Sequence, residues 1–430
     1  MSRLLVLPNQ LFDIKYFTKD IKNVVLYEHP QYFTKYNFNK KKLVLHRASM
    51  KKYQDYLEKK GYHVDYLDYS QKLPSNFDII FEYTDKLKIP KKEIIPTPNF
   101  LLSMELLEKY RKKTDKFFFN AFYMWSKKEL NILPGVKSQD KSNRKRMPKN
   151  LNVPSVPKIK NNAFVKEAIE YVEKHFSKNY GNCDNFNYPI DHDTAHKWLS
   201  EFINKKFNNF GDYQDFIKNG EGFMFHSLLS SSINIGLINP KDIIDIITPI
   251  KSKIPLNSYE GYVRQLFWRE YQRLCYLYFK FDGLNYFGNS KKLNKKWYTG
   301  ELGIPPVDDA IKFGFETGYL HHIQRLMVMG NFMNISGISP KEGLKWFMEF
   351  SCDSYEWVMY QNVYDMVFFV SDGKTMRRPY ASTSNYIMNM SDYKRGEWNK
   401  EWDDKYREWV EKNKDKLYKY RYYFPTLRKK

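Results

Sequence analysis

Short apolar runs and amphipathic stretches alternate along the first part of the chain. Residues 4–7, 24–27, 43–45, 64–67 and 79–81 read as buried strands, each a brief and nearly continuous apolar run. Residues 50–60 read as a helix with Tyr53, Tyr56 and Leu57 along one face. Strands alternating with helices predict a parallel sheet covered by helices. From about Asn162 onward the strand signals nearly vanish. Long helical patterns take over, punctuated by Pro240, Pro249, Pro255, Pro305, Pro306 and Pro340. Trp398, Trp402, Tyr406 and Trp409 recur at helical spacing and predict a docking face onto the core. The stretch between is rich in Lys, Arg, Asn, Ser and Pro and reads as an exposed linker. The predicted organisation is an α/β domain over 1–135, a basic linker over 136–161, and an all-helical domain over 162–430.

Aromatic residues make up 18% of the 430 positions, so a large core is easily built and general disorder is excluded. Lys and Arg number 71 against 49 Asp and Glu, a formal charge of +22. That balance favours a polyanionic partner held through phosphate contacts. A/T-rich coding, which yields Lys, Asn, Ile and Tyr, is the competing origin of the charge. Residues 136–160 carry eight basic side chains against Asp140 alone, yet +15 remains on the rest of the chain. The linker is therefore expected to touch DNA without being the sole source of basicity. Cys183, Cys275 and Cys352 are widely spaced and form no C-x-x-C pair, which points to an intracellular chain without a disulfide framework or zinc ribbon. No apolar run approaches membrane length and residues 1–11 lack a signal-peptide layout, so a soluble protein with no membrane partner is expected. Neither a dinucleotide fingerprint, a P-loop, a G-x-S-x-G nor a kinase signature is present. His192 and His196 have metal-ligand spacing but no third ligand accompanies them, so no metal site is expected.

Four segments gather polar residues within apolar surroundings. In the first, helical spacing stacks His321 over Arg325 and His322 over Leu326. A buried arginine is costly unless it faces an anion or polar ligand, and adjacent histidines bring proton chemistry or polar recognition. An interior helix with two hydrogen-bonded histidines and one ion pair reads equally well. In the second, residues 225–236 include Ser227, Ser230, Ser231 and Ser232, hydroxyls spaced closely enough to wrap a phosphate, although serine-rich helix starts are also common caps. In the third, Gln265, Trp268 and Arg269 share a helical face, giving an aromatic plate and a guanidinium suited to a base and an anion. A salt-bridged surface helix is the plainer alternative there. In the fourth, Asn362 follows Glu356 and Trp357, and a neutral amide can hydrogen-bond a ring nitrogen without imposing a charge.

Taken in order, these segments resemble the photolyase/cryptochrome family, closest to its prokaryotic photolyase-related branch, whose members often carry an iron–sulfur cluster. The likeness rests on Leu45-His46-Arg47-Ala48-Ser49-Met50, Trp268-Arg269-Glu270-Tyr271 and the run from Thr317 through His321, His322 and Arg325 to Met327. Pro379-Tyr380-Ala381-Ser382, Asn385-Tyr386-Ile387 and Met390-Ser391-Asp392-Tyr393 extend it, so that it spans residues 2 to about 393. The resemblance implies a Rossmann-like N-terminal domain of photolyase type that can hold an antenna chromophore. It also implies an all-α C-terminal domain that binds FAD and UV-damaged DNA. Carried over by position, Ser227, Leu228, Leu229 and Ser230 fall on the phosphate-holding segment, and Arg269 and Arg325 on arginines around the flavin. Asn362 falls on the asparagine facing the flavin's reactive nitrogen, and Glu356 on the acidic partner of Arg325. Gln265 and His321 fall beside the flavin as well. Trp268 falls on the lesion-stacking tryptophan, with His322 and Gln265 as further lesion contacts. His322, Asn362 and Trp268 are the expected catalytic residues.

Lys394-Arg395-Gly396-Glu397 stand where the cluster-bearing relatives place cysteines, and three cysteines are fewer than the four thiolates a cluster needs. No iron–sulfur cluster is expected. Gln265 replaces the glutamate of many cyclobutane-dimer photolyases, and His322 points toward 6-4 photoproduct repair, whose chemistry needs a proton donor. The missing cluster separates the chain from the branch most associated with that lesion, so both lesions stay open. The resemblance implies a carbon–carbon lyase, monomeric and cytoplasmic or nuclear, that moves an electron in light from reduced FAD to a flipped pyrimidine dimer. A cryptochrome-like blue-light photoreceptor without repair activity is the alternative, and a flavin-free nucleic-acid scaffold is a third.

Overall fold

The apolar runs of the first part pair into one parallel sheet in a computed structural model that describes residues 2–160, 162–424 and 427. Residue 161, the end of the expected linker, and residues 1, 425, 426 and 428–430 at the ends of the two expected domains lie outside the described residues. The strands are β1 (Ser2–Val6), β2 (Ile21–Tyr27), β3 (His63–Leu67), β4 (Ile79–Phe81) and β5 (Glu93–Ile95), in the order β3-β2-β1-β4-β5. Central β1 sets Leu4 beside Val24 on one side and Ile79 on the other, and Leu4, Leu5 and Val6 are fully buried. Buried on both faces, such a strand shows no alternation of polar and apolar positions. Beyond the carboxyl ends of β1 and β4, Asp85 is buried and accepts a hydrogen bond from the Tyr32 hydroxyl at 2.8 Å.

Two expectations fail here. Residues 43–45 belong to α1 (Lys40–Lys59), which carries the crossover from β2 to β3. Leu43, Val44, Leu45, His46 and Ala48 are all buried, because α1 is covered by the sheet on one side and by the helical body on the other. A three-residue apolar run cannot by itself tell a strand from such a helix. Strand β5 carried no signal. It is a three-residue edge between Lys and Pro clusters, with Ile94 56% exposed.

Two further helices, α2 (Met104–Lys113) and α3 (Phe119–Glu129), complete the first part. The rest is helical: α4 (Ala163–His175), α5 (His192–Lys205), α6 (Phe207–Tyr213), α7 (Ser230–Asn234), α8 (Pro240–Ile247), α9 (Leu256–Tyr278), α10 (Lys296–Thr299), α11 (Pro305–Thr317), α12 (Asn331–Ile335), α13 (Pro340–Phe350), α14 (Glu356–Tyr360), α15 (Asn385–Met390), α16 (Glu397–Lys412) and α17 (Lys414–Leu417). The long, mostly buried α9 is the axle of this part and packs against α3, α6 and α14. Trp398, Trp402, Tyr406 and Trp409 are buried on α16, and Trp402 meets Phe332 of α12 at 4.9 Å, so the aromatic stripe docks as its spacing predicts.

Polar ties lock the two parts together. Glu28, buried after β2, accepts from Arg47 of α1 at 2.9 Å and from the Tyr171 hydroxyl of α4 at 2.8 Å. Glu270 of α9 accepts from the backbone N–H groups of Leu101 and Leu102 at 2.9 and 3.2 Å. The basic segment is mostly exposed but is tethered to the body at a few points. Asn143 and Met147 are buried, Lys145 pairs with Asp212 at 2.9 Å, and Arg144 pairs with Asp140 at 2.7 Å and reaches Asp215 at 3.4 Å. Asp212 and Asp215 of the helical body and Asp140 of the segment itself attract these cations, and Met147 finds an apolar pocket with Phe216, Met224 and Phe225.

Candidate functional site

Two π-helical segments, Gln324–Gly330 and Gln361–Val367, interrupt the α-helical regime and pack against each other. Such wide turns recur at functional sites, because the widened turn re-aims side chains that an α-helix would hold elsewhere. Arg325 stands in the first and Asn362 in the second. At their contact Gly330 is required by space: a Cβ there would lie 2.6 Å from Val367 Cγ2 and 2.9 Å from the Arg325 carbonyl oxygen.

Arg325 forms a two-pronged pair with Asp353, Nη1 to Oδ1 at 3.0 Å and Nη2 to Oδ2 at 3.1 Å, and its Nε donates to the Leu320 carbonyl at 2.6 Å. Ser230 at the start of α7 donates its hydroxyl to Asp353 Oδ2 at 2.6 Å, and Ser351 also donates to this carboxylate. Burial pushes the Asp353 carboxyl up, but the Arg325 charge and these hydrogen bonds outweigh it and hold the group below the usual carboxylate range. The network runs on. Asn234 donates to the Asp353 carbonyl at 2.8 Å and accepts from Arg269 Nε at 2.9 Å, and Arg269 Nη2 donates to Asn99 Oδ1 at 2.8 Å. Phe100 and Trp357 face the Arg269 guanidinium at 4.5 and 4.7 Å. Ser230, Arg269 and Arg325, far apart in sequence, are thereby brought into one polar chain.

Leu228 precedes α7 in the left-handed region at φ 58°, a strained position for a branched residue. Ser227 and Leu228 line a narrow cleft with Trp198, Phe202, Lys206 and His226, while Leu229 is buried. His226 stacks on His321 at 4.9 Å between ring centres and 13° between planes. Burial, reinforced by neighbouring positive charge, lowers both imidazoles well below their ordinary value, so both are neutral. His322 is different: its side chain is 39% exposed, and Nε2 lies 3.0 Å from Asp215 Oδ1. Three histidines thus meet at one place, two dry and one facing solvent beside a carboxylate.

Several expected site residues sit differently from expectation. Glu356 is not the partner of Arg325. Its carboxylate pairs with Lys35 at 2.6 Å and accepts from the Tyr36 hydroxyl at 2.7 Å, because α14 turns it toward the first domain. Trp268 stacks face to face on Phe119 of α3, 3.7 Å between ring centres and 8° between planes, so one face of the indole is already covered. The Asn362 amide donates back to the Val358 carbonyl at 2.8 Å. Gln265 is half-buried one turn before Arg269. Asp353, Asn234, Asn99, His226 and Asp215 were not anticipated; the one usable signal was His226, directly ahead of the serine run.

The chemistry of these residues suits a cofactor of the flavin-dinucleotide kind. The hydroxyls of Ser231 and Ser232, both ring nitrogens of His321, Nε2 of His226 and the Gln361 side-chain amide are buried without a hydrogen-bond partner among the described residues. Buried polar atoms are normally satisfied, and a neutral set of hydroxyl, amide and imidazole groups next to Arg325 matches ribityl, phosphate and ring-edge chemistry.

A family model of deoxyribodipyrimidine photo-lyase-related proteins matches residues 4–89 and 78–188. A (6-4) photolyase of Agrobacterium fabrum is 37% identical over 259 residues, 59% of this chain and 51% of that protein, so the chain spans about half the length of that relative. An uncharacterized protein of Acanthamoeba polyphaga mimivirus is 50% identical over 92 residues, 21% of this chain and 75% of that one. A bacterial class III photolyase from Agrobacterium tumefaciens shares the fold at a TM-score of 0.57 and 14% identity, across 95% of this chain and 98% of that one. The family match over residues 4–188 and the (6-4) photolyase relative together support a place in the photolyase-related family, and the solved class III photolyase shares the fold.

Proposed function

We propose that this protein is a DNA photolyase that binds FAD at the Arg325–Asp353–Ser230 network and splits a pyrimidine dimer in UV-damaged DNA under blue light. The observation that carries this reading is the set of unpaired buried polar atoms on Ser231, Ser232 and the stacked His226 and His321, the latter one helical turn ahead of the charge-paired Arg325. Ser227, Leu228, Leu229 and Ser230 would hold the phosphates, with Arg269 and the Asp353-paired Arg325 lining the site as hydrogen-bond donors and Gln265, His321 and Asn362 the polar edges. Bound there in reduced form, FAD would supply light-driven one-electron chemistry.

The chain's own residues then have distinct tasks. Trp268 offers its uncovered face to a flipped base, with Phe119 bracing the other. His322 Nε2 lies 3.0 Å from Asp215 Oδ1 on the solvent side of the histidine cluster, where a proton on that nitrogen would be placed to be lent to a lesion oxygen and taken back. That arrangement, and the likeness to a (6-4) photolyase, favour the 6-4 photoproduct over the cyclobutane dimer. The test is lesion counting by mass spectrometry on UV-damaged oligonucleotides, with reduced protein in blue light and in darkness. Light-dependent loss of 6-4 photoproducts alone supports the reading. Loss of cyclobutane dimers alone reverses the lesion assignment, and survival of both with flavin bound leaves a photoreceptor without repair activity.

A further inference from the structure

The turn Tyr418–Tyr423 follows α17 and shares no residue with the Arg325–Asp353 network. Large apolar and aromatic side chains are rarely exposed in this protein. Of the seven exposed ones among the described residues, three lie in this turn: Tyr418 at 61%, Tyr422 at 68% and Tyr423 at 48%. A frayed end does not explain them. Leu417 and Phe424 bracket the turn and are fully buried, and Tyr420 points inward, donating to Asp372 Oδ1 at 3.1 Å and meeting Phe369 edge-on at 5.1 Å. The backbone is pinned from inside while the remaining rings face out.

Each outward ring is paired with a guanidinium. Arg421 lies 4.7 Å from the Tyr418 ring and 5.2 Å from the Tyr422 ring, and Arg378 lies 4.7 Å from the Tyr423 ring. Neither arginine forms a salt bridge among the described residues, whereas neighbouring Lys414 and Lys419 pair with Glu411 and Asp372. Rings braced by guanidiniums that form no salt bridge among the described residues present π faces and positive charge at one spacing, which suits stacked bases joined by phosphates. A membrane surface would call for aliphatic side chains to insert beside the rings, and the exposed apolar side chains of this turn are tyrosines only.

We propose that this turn is a second nucleic-acid contact, holding a single strand of undamaged sequence by stacking on Tyr418, Tyr422 and Tyr423 and phosphate pairing with Arg378 and Arg421. The test is fluorescence anisotropy of a short dye-labelled oligothymidine with the full chain. Against the wild type stand the double variants Tyr418→Ala/Tyr422→Ala and Tyr418→Phe/Tyr422→Phe. The alanine pair should weaken binding about tenfold or more at an unchanged melting temperature, and the phenylalanine pair should bind within about twofold of wild type. Should the alanine pair melt early, Arg421→Ala decides instead, with weaker binding and a salt slope shallower by about one. Wild-type affinity in the folded variants overturns the proposal. So does loss of binding to phosphatidylserine vesicles while oligothymidine binding is unchanged.

Discussion

Between Arg325 and the hydroxyls of Ser230 and Ser351, the Asp353 carboxylate keeps its charge inside the protein. Replacing it by Asn leaves a guanidinium buried without a counter-ion, and a loss of about 3–5 kcal/mol is expected, read as a lower denaturant midpoint. A midpoint equal to wild type would refute the pair as an anchor. The native pKa lies below that of an unfolded Asp, near 4. Its stabilisation is therefore complete above about pH 4 and disappears as pH falls through the native value. Asp85 works with the opposite sign. Burial raises its carboxyl to about 6, so its contribution is complete below about pH 4 and is lost as pH rises through that value. Asp85→Asn should flatten the decline in stability between about pH 4 and 7, by up to about 3 kcal/mol, in urea melts at the two pH values. Equal slopes in the two proteins would place that pH dependence elsewhere. At this scale the sequence was half legible. Buried arginine beside histidine marks Arg325, and clustered hydroxyls mark Ser230. Which acid reaches Arg325 depends on the turn between α13 and α14, and nothing in Ser351-Cys352-Asp353-Ser354 distinguishes Asp353 from the nearby Glu356.

The two π-helical segments meet where Gly330 lets Val367 approach. Gly330→Ala must push them apart, because the Arg325 carbonyl blocks retreat along its own helix. A destabilisation of about 1–3 kcal/mol is expected, with weaker flavin retention because Arg325 and Asn362 ride on the displaced segments. Undiminished thermal stability and flavin content would show that the contact is slack. Period was the reliable guide to elements. The α16 stripe docks as its spacing requires, and β1, β2, β3 and β4 fall on their apolar runs. Where burial surrounds an element, as on α1, periodicity vanishes and the type is left to length alone. The π geometry has no sequence signature at all, since it arises from how two segments accommodate each other.

Across the whole molecule, the +22 charge should govern association with nucleic acid. If about six phosphates are neutralised, affinity for DNA should fall about a thousandfold between about 50 and 200 mM salt, as followed by filter binding or anisotropy. A flat salt profile would contradict a phosphate-held substrate. The charge was plain from composition, but its placement was not. Residues 139–147 stay largely exposed, yet Asp140, Asp212 and Asp215 engage two of their cations. The stacked pair of Phe119 and Trp268 joins the sheet domain to the helical body ring against ring. A smaller side chain at either position strips cover from the other, so the two should change together as lineages diverge. Where a relative keeps the tryptophan but loses the ring at the position of Phe119, a compensating aromatic should have arisen nearby, leaving a trace in sequence of the tie between sheet and helical body.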